Sequence, residues 1–381
     1  VSSGKSWDIF CNVIDNYGDI GVCWRLARQL SLEHQLQVRL WVDDLGSLAK
    51  ICPGIDPFAD IQFFKGIEVC HWVVSFPDVN PANVVIEAFA CKLPESYIQN
   101  MAGLETKPVW INLEYLSAED WVAGCHGLPS QHPRLPLVKY FFFPGFNAKT
   151  GGVLLEQGLI SRRNQFQQDS LAQSRFWESL DVSPRCTDEI RVSLFGYENS
   201  ALASLFDTWA NGSQSVFCLV PEGKILSDVT RYFGLNALQT GAAKKSGNLT
   251  VQVLPFVEQA RYDELLWACD CNFVRGEDSF VRAQWAAKPF VWHIYPQDEN
   301  AHMKKLMAFL SVYSKNLPQE TATDLRRFWE AWNRAAGAGD LWHAFWQHKA
   351  LFEAHAGQWA NCLAENGDLA LNLVQFCKSK L

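Results

Sequence analysis

Methionine is scarce, at 3 residues in 381, and charged residues make up only 19% of the chain. With 48% hydrophobic residues, that low charge excludes a long disordered protein. Basic residues are the minority: 33 Lys and Arg stand against 41 Asp and Glu, a net charge of -8. A general nucleic-acid binder draws most of its affinity from cationic contacts to phosphate, so that class is excluded, although a local basic pocket is not. None of the 12 cysteines forms a C-x-x-C pair. Cys269 and Cys271 are two apart, but no nearby His completes a metal set, so no metal is expected. Scattered cysteines in a chain of this size do not make a disulfide scaffold; they read as small buried hydrophobes in a reducing compartment. No apolar run approaches the roughly 18 residues of a membrane span. Val1 to Asp8 carries no apolar signal-peptide core. The expectation is a cytoplasmic protein with no membrane partner.

What the chain has in excess is aromatic: 16 Trp and 25 Phe, which serve thick cores or stacking surfaces. Its length against about 150 residues per domain predicts two or three domains. Strand-like apolar runs at Trp7–Ile14, Leu36–Val42, Ile61–Phe64, Val84–Phe89, Val109–Leu113 and Val138–Phe143 are separated by helical stretches or turns. A Gly-rich, polar stretch from Asn147 to Arg163 reads as a linker, and Gln165–Leu180 as a helix. A second series follows, with strands at Ile190–Phe195, Ser215–Val220, Leu249–Leu254, Cys271–Val274 and Pro289–Ile294. Beyond Asp298 the pattern is helical, with Trp329, Trp332, Trp342 and Trp346 spaced as a core stripe. Strands alternating with helices predict an α/β protein with two mainly parallel sheets and a helical C-terminal tail. Two facing doubly wound domains would form a cleft at the C-terminal ends of their strands, where ligands bind.

Four segments fall at such strand ends. The run Asp15-Asn16-Tyr17-Gly18-Asp19-Ile20-Gly21 follows the first strand. It is not the G-x-G-x-x-G dinucleotide fingerprint. Its two carboxylates can serve as a general base and a positioning group; equally, Asp and Asn favour turns, and Asp19 can cap the following helix. Arg275-Gly276-Glu277-Asp278-Ser279 reads as a strand end and a helix N-terminus, a phosphate-binding geometry to which Arg275 adds a bidentate donor. Glu277 and Asp278 repel phosphate and suit a sugar hydroxyl better. An ordinary capped helix is the alternative. Tyr197, in Ser193-Leu194-Phe195-Gly196-Tyr197-Glu198, can hydrogen-bond a phosphate, and Phe256, in Leu254-Pro255-Phe256, can stack on a base. Each of these aromatics alone also reads as a core or turn residue.

The runs IFCNVIDNYGDIGVCWRLARQL, SLFGYEN and LPFVEQARYDELLWACDCNFVRGEDSFVRAQWAAKPFVWHIYPQDENAH, together with the helical tail, resemble the EarP family of protein-arginine rhamnosyltransferases. The likeness covers essentially the whole chain, and RGEDSFVRAQWA is its most specific part. The resemblance implies a GT-B fold of two facing Rossmann-like domains. The first, residues 1–160, would lie on the acceptor side, with a C-terminal helix at about 362–381 packing back on it. The second, 161–361, would bind the nucleotide sugar. It implies transfer of L-rhamnose, with inversion, from dTDP-β-L-rhamnose to an arginine of translation elongation factor P. No cofactor or metal is implied, and the sequence has no D-x-D motif. By position it implies catalytic roles for Asp15, Asp19 and Glu277. The donor pocket would comprise Tyr17, Gly18, Phe195, Tyr197, Phe256, Gln259, Arg275, Glu277, Asp278 and Ser279. Asp19 is the expected base and Asp15 the positioning group, with the reverse left open. Phe256 would meet the thymine; Tyr197, Arg275 and the N–H groups near Asp278 and Ser279 would hold the diphosphate. A sugar-nucleotide epimerase of similar fold and a non-catalytic translation-factor-binding module are the rival readings.

Overall fold

The computed structural model describes residues 5–15, 17–297 and 301–381. Asn16 of the Asp15–Gly21 segment lies outside the described residues, as do 1–4 and 298–300. The chain divides into two units: one runs to Gln157 and includes Cys362–Leu381, the other is Gly158–Asn361. The division comes a few residues before the expected 160/161 boundary, because Gly158, at φ 74°, opens a helix of the second unit, Leu159–Gln168.

The first unit holds strands β1 (Ser6–Cys11), β2 (Gln37–Val42), β3 (Ile61–Phe64), β4 (Ile67–His71), β5 (Val84–Ala88), β6 (Val109–Leu113), β7 (Pro129–Gln131) and β8 (Val138–Phe142). They form one sheet in the order β3-β4-β2-β1-β5-β6-β8-β7, parallel except for the edge strands β3 and β7. Strands such as β5 and β6 are buried at every residue, as expected of parallel strands covered on both faces. From β1 the chain moves outward to β2, runs to the edge strand β3, turns back as β4 between β3 and β2, then crosses to β5 on the other side of β1. The C-terminal ends of β1 and β5 therefore flank the switch point of this sheet.

The helix Gly18–His34 is buried along nearly all of its first three turns, from Asp19 to Ala27, which makes it a central rather than an amphipathic surface helix. It begins at Gly18, so Asp19 lies in its first turn. The C-terminal helix Leu369–Lys378 packs in this same unit. Its Phe376 ring meets Tyr140 at 5.5 Å and Phe142 at 5.6 Å, and the Leu155 N–H donates to Asp368 at 3.0 Å.

The second unit holds β9 (Ile190–Leu194), β10 (Val216–Pro221), β11 (Ala243–Ser246), β12 (Leu249–Leu254), β13 (Cys271–Arg275) and β14 (Phe290–His293), in the order β11-β12-β10-β9-β13-β14. Only β11 is antiparallel to its neighbour. The switch point lies between β9 and β13. The helical region supplies core: Trp332 meets Phe273 of β13 at 4.8 Å, Trp329 meets Phe290 of β14 at 5.2 Å, and Trp342 meets Trp209 at 5.1 Å. Trp329, Trp332, Trp342 and Trp346 are all buried, so the stripe is core, and each such side chain contributes about 1.5–3 kcal/mol by leaving water.

The expected helix Gln165–Leu180 is two helices, Leu159–Gln168 and Ser170–Ser179. Asp169 breaks them by capping the second, its carboxylate accepting from the Ala172 N–H at 2.9 Å. All twelve cysteines are free thiols; Cys269 precedes β13 rather than sharing a strand with Cys271. No helix among the described residues is long and apolar enough to cross a membrane.

Candidate active-site residues of the two units

In the first unit the site is built on the turn after β1. The Asp19 side chain reaches back from the helix and accepts from the N–H groups of Ile14 and Asp15, both at 2.9 Å. The Tyr115 hydroxyl, just beyond β6, also donates to the Asp19 carboxyl. Asp19 is 2% exposed. Burial pushes its pKa up, the two backbone donors oppose that, and the nearby Asp15 adds to the rise. A second carboxylate steadies the turn from β2: Asp43 accepts from the Val13 N–H at 2.9 Å and from the Asn12 amide. Asp15 and Tyr17 are half-buried. A Cβ at Gly18 would stand 2.8 Å from Asp15 Oδ2, so any larger residue there would push the Asp15 carboxylate aside. The Gly18 N–H meets the Asp15 carbonyl at 2.6 Å, closing the turn.

In the second unit, Phe195, Gly196 and Tyr197 leave the end of β9 beside Arg275 at the end of β13. The Arg275 guanidinium carbon lies 4.6 Å from the Phe195 ring centroid and 4.7 Å from that of Tyr197. All three side chains are buried, so a cation is held between two aromatic faces. Phe195 thus packs against the Arg275 guanidinium. Gly276 turns the chain at φ 60°, a conformation that favours glycine, and its carbonyl accepts from Trp292 Nε1 at 2.8 Å. Glu277 then opens the helix Asp278–Trp285 without capping it. The Ser279 hydroxyl lies under the turn, accepting from the Arg275 N–H at 3.0 Å and donating to the Arg275 carbonyl. Gln259 Nε2 donates to Asp278 at 3.1 Å, and Phe256 is half-buried just before Gln259.

Several residues near these groups were not singled out by sequence. Asp263 holds Arg282 in a buried bidentate pair at 2.8 and 2.6 Å, tying the helix Gln259–Ala268 to the helix Asp278–Trp285. His293, paired in register with Arg275, is 4% exposed, and burial, with the Arg275 charge next, lowers its pKa to about 3. Its ring meets Tyr197 at 5.2 Å. Tyr115 was legible in principle, because it follows a strand end just as Asp15 does. Among the described residues one cluster has metal-ligand spacing, Glu320, Asp324 and His348. His348 Nε2 already lies 3.2 Å from Asp324 Oδ2, an ordinary hydrogen-bonding contact between a turn and the helix Gln319–Asn333.

The chain is similar to known proteins over nearly its whole length. The family whose description is Elongation-Factor P (EF-P) rhamnosyltransferase EarP matches residues 7–378. The chain is 50% identical over 376 residues to a protein-arginine rhamnosyltransferase of Pseudomonas putida, covering 99% of both chains. It is 42% identical over 395 residues to the protein-arginine rhamnosyltransferase of Shewanella oneidensis, covering 99% of this chain and 98% of that one. A solved structure concerning EarP-mediated arginine glycosylation of translation elongation factor EF-P matches with TM-score 0.72 and 37% identity, over 99% of this chain and 100% of that one. A UDP-glucosyltransferase from Polygonum tinctorium shares the fold at TM-score 0.54 and 9% identity, over 99% of both chains. The fold class is GT-B, and the chain belongs to the EarP family of elongation-factor P rhamnosyltransferases.

Proposed function

We propose that this protein transfers L-rhamnose from dTDP-β-L-rhamnose to an arginine side chain of translation elongation factor P, inverting the anomeric carbon, without a metal or other cofactor. Family membership over the whole chain is the observation that carries the reading. A guanidinium has a pKa above about 12, so no carboxylate simply deprotonates it in the ground state. Two carboxylates can grip its fork, localise its charge and take one proton as the bond to the sugar forms. Asp19 suits the base, because burial raises its proton affinity, and Asp15 suits the grip, being half-buried beside it. In the step, an arginine nitrogen bonds to the anomeric carbon, the bond from that carbon to the dTDP oxygen breaks, and the nitrogen's proton passes to the carboxylate.

The leaving dTDP carries the released charge. Arg275, pre-oriented by Phe195 and Tyr197, and the N-terminus of the helix Asp278–Trp285 can stabilise it without reorganising. Phe256 meets the thymine, Gln259 and Asp278 the rest of the nucleotide sugar, and Glu277 acts at the sugar. The test is intact-mass measurement of elongation factor P incubated with this protein and dTDP-L-rhamnose. One deoxyhexose on an arginine supports transfer. A converted sugar nucleotide with unmodified elongation factor P points to an epimerase, and binding without a mass change points to a docking module; either overturns the proposal.

A further inference from the structure

Three features meet at the switch point of the first sheet. The Tyr115 hydroxyl donates to the Asp19 carboxyl. The Tyr115 ring is stacked on Phe89, with centroids 4.5 Å apart and planes 20° from parallel. Phe89, at the end of β5, has φ 55°, and Ala90 after it has φ 54°. Non-glycine residues rarely adopt left-handed backbone, and two in succession beside the switch point of the sheet point to a conformation held for function. The strained turn is pinned, since the Phe89 N–H donates to the Leu113 carbonyl at 2.7 Å, at the end of the strand that leads into Tyr115.

We propose that Tyr115, braced by Phe89, is a positioning residue that holds the Asp19 carboxylate in place for transfer. The inference rests on the proposed role of Asp19 as base. Two backbone N–H groups fix Asp19 from the side of its own loop, and Tyr115 fixes it from the far side of the switch point. Of the titratable groups nearby, Asp15 on the loop acts on Asp19 directly, and Cys11 of β1, itself beside Cys23 on the helix and Asp43 after β2, feels the Asp19 charge. Asp15 and Asp43 are carboxylates that repel a neighbouring anion, and Cys11 and Cys23 are bonded to each other by a thiol hydrogen bond. Tyr115 therefore favours the charged form of Asp19, against burial and the Asp15 charge, from a ring stacked on Phe89.

Tyr115→Phe tests this, because it keeps the ring and its stack and removes only the hydroxyl. Loss of a donor to a carboxylate raises the carboxylate's pKa. The Asp19 carboxyl, followed by 13C NMR, should titrate at least about half a pH unit higher, and the acid limb of kcat against pH should move up with it. With elongation factor P, kcat should fall about tenfold or more, while KM for dTDP-rhamnose and Tm stay at the wild-type values. An Asp19 titration identical to wild type overturns the proposal, as does a wild-type kcat in an active enzyme. The NMR titration does not depend on rhamnose transfer. Absence of transfer by the wild-type protein therefore counts against the proposed function, and an unmoved Asp19 counts against the role of Tyr115.

Discussion

The guanidinium carbon of Arg275 sits 4.6 Å from the ring centroid of Phe195, and the opposing Tyr197 ring is 4.7 Å away. A buried cation needs compensation, and here two aromatic faces supply part of it while fixing the plane of the fork. Phe195→Leu should therefore weaken dTDP binding by about 0.5–2 kcal/mol, a desolvated cation–π magnitude, and leave thymidine binding nearly unchanged. Calorimetric titration with both ligands checks this. Equal losses for dTDP and thymidine would show that Phe195 meets the base instead.

The two aspartates after β1 should separate from donor binding. Asp15→Asn and Asp19→Asn are each expected to lower single-turnover transfer by about 10²–10⁴-fold while dTDP affinity persists. Asp19→Asn should also loosen the turn, because its Oδ2 accepts from both Ile14 and Asp15. Near-wild-type rates in both variants would remove these residues from the chemistry.

Phe256 is half-buried at the turn after β12. Its replacement by Ala should weaken dTDP by about 1–3 kcal/mol, the cost of losing one base-stacking ring. Unlike the Phe195 variant, it should weaken thymidine by a similar amount. An unchanged thymidine affinity would exclude the stacking role.

His293 gives the fold a pH dependence. Its pKa is lowered from 6.5 to about 3, chiefly by burial and then by the Arg275 charge, so the folded state refuses a proton that the unfolded state accepts. Stability from this group is complete above about pH 6.5 and is lost as pH falls from there toward 3. The slope approaches about 1.4 kcal/mol per pH unit near pH 5. Urea unfolding at pH 7 and pH 5 should show a smaller acid loss for His293→Asn than for wild type. Identical acid losses would rule His293 out as the source.

Much of the frame was legible because β1, β5, β6, β9 and β13 are short, mostly apolar segments of strand length, although each also carries a polar residue such as Asp8, Glu87, Asn112, Arg191 or Asn272. The missed pieces have particular causes. The β4 strand is short and carries Glu68 and His71 among its five residues, although the Lys65-Gly66 pair before it, with φ values of 50° and 81°, makes a two-residue hairpin signal. The break at Asp169 is a cap inside an otherwise helical pattern. Asp15 and Asp19 stood out because carboxylates after a first strand are chemically pointed. Tyr115 did not, because a lone tyrosine after a strand looks like any other.

The sequence by itself determined the α/β class, the aromatic core stripe and, through its motifs, the family. Local periodicity and residue chemistry suffice for these. Tertiary structure decided the order of the strands, and with it that β1 lies beside β5 and β9 beside β13. Strand order is a matter of non-local pairing, which composition and period do not encode. That order brings Tyr115 to Asp19 and sets Arg275 between Phe195 and Tyr197. It also resolves the aromatic excess: most rings fill the cores, and a few are spent holding the charged groups still.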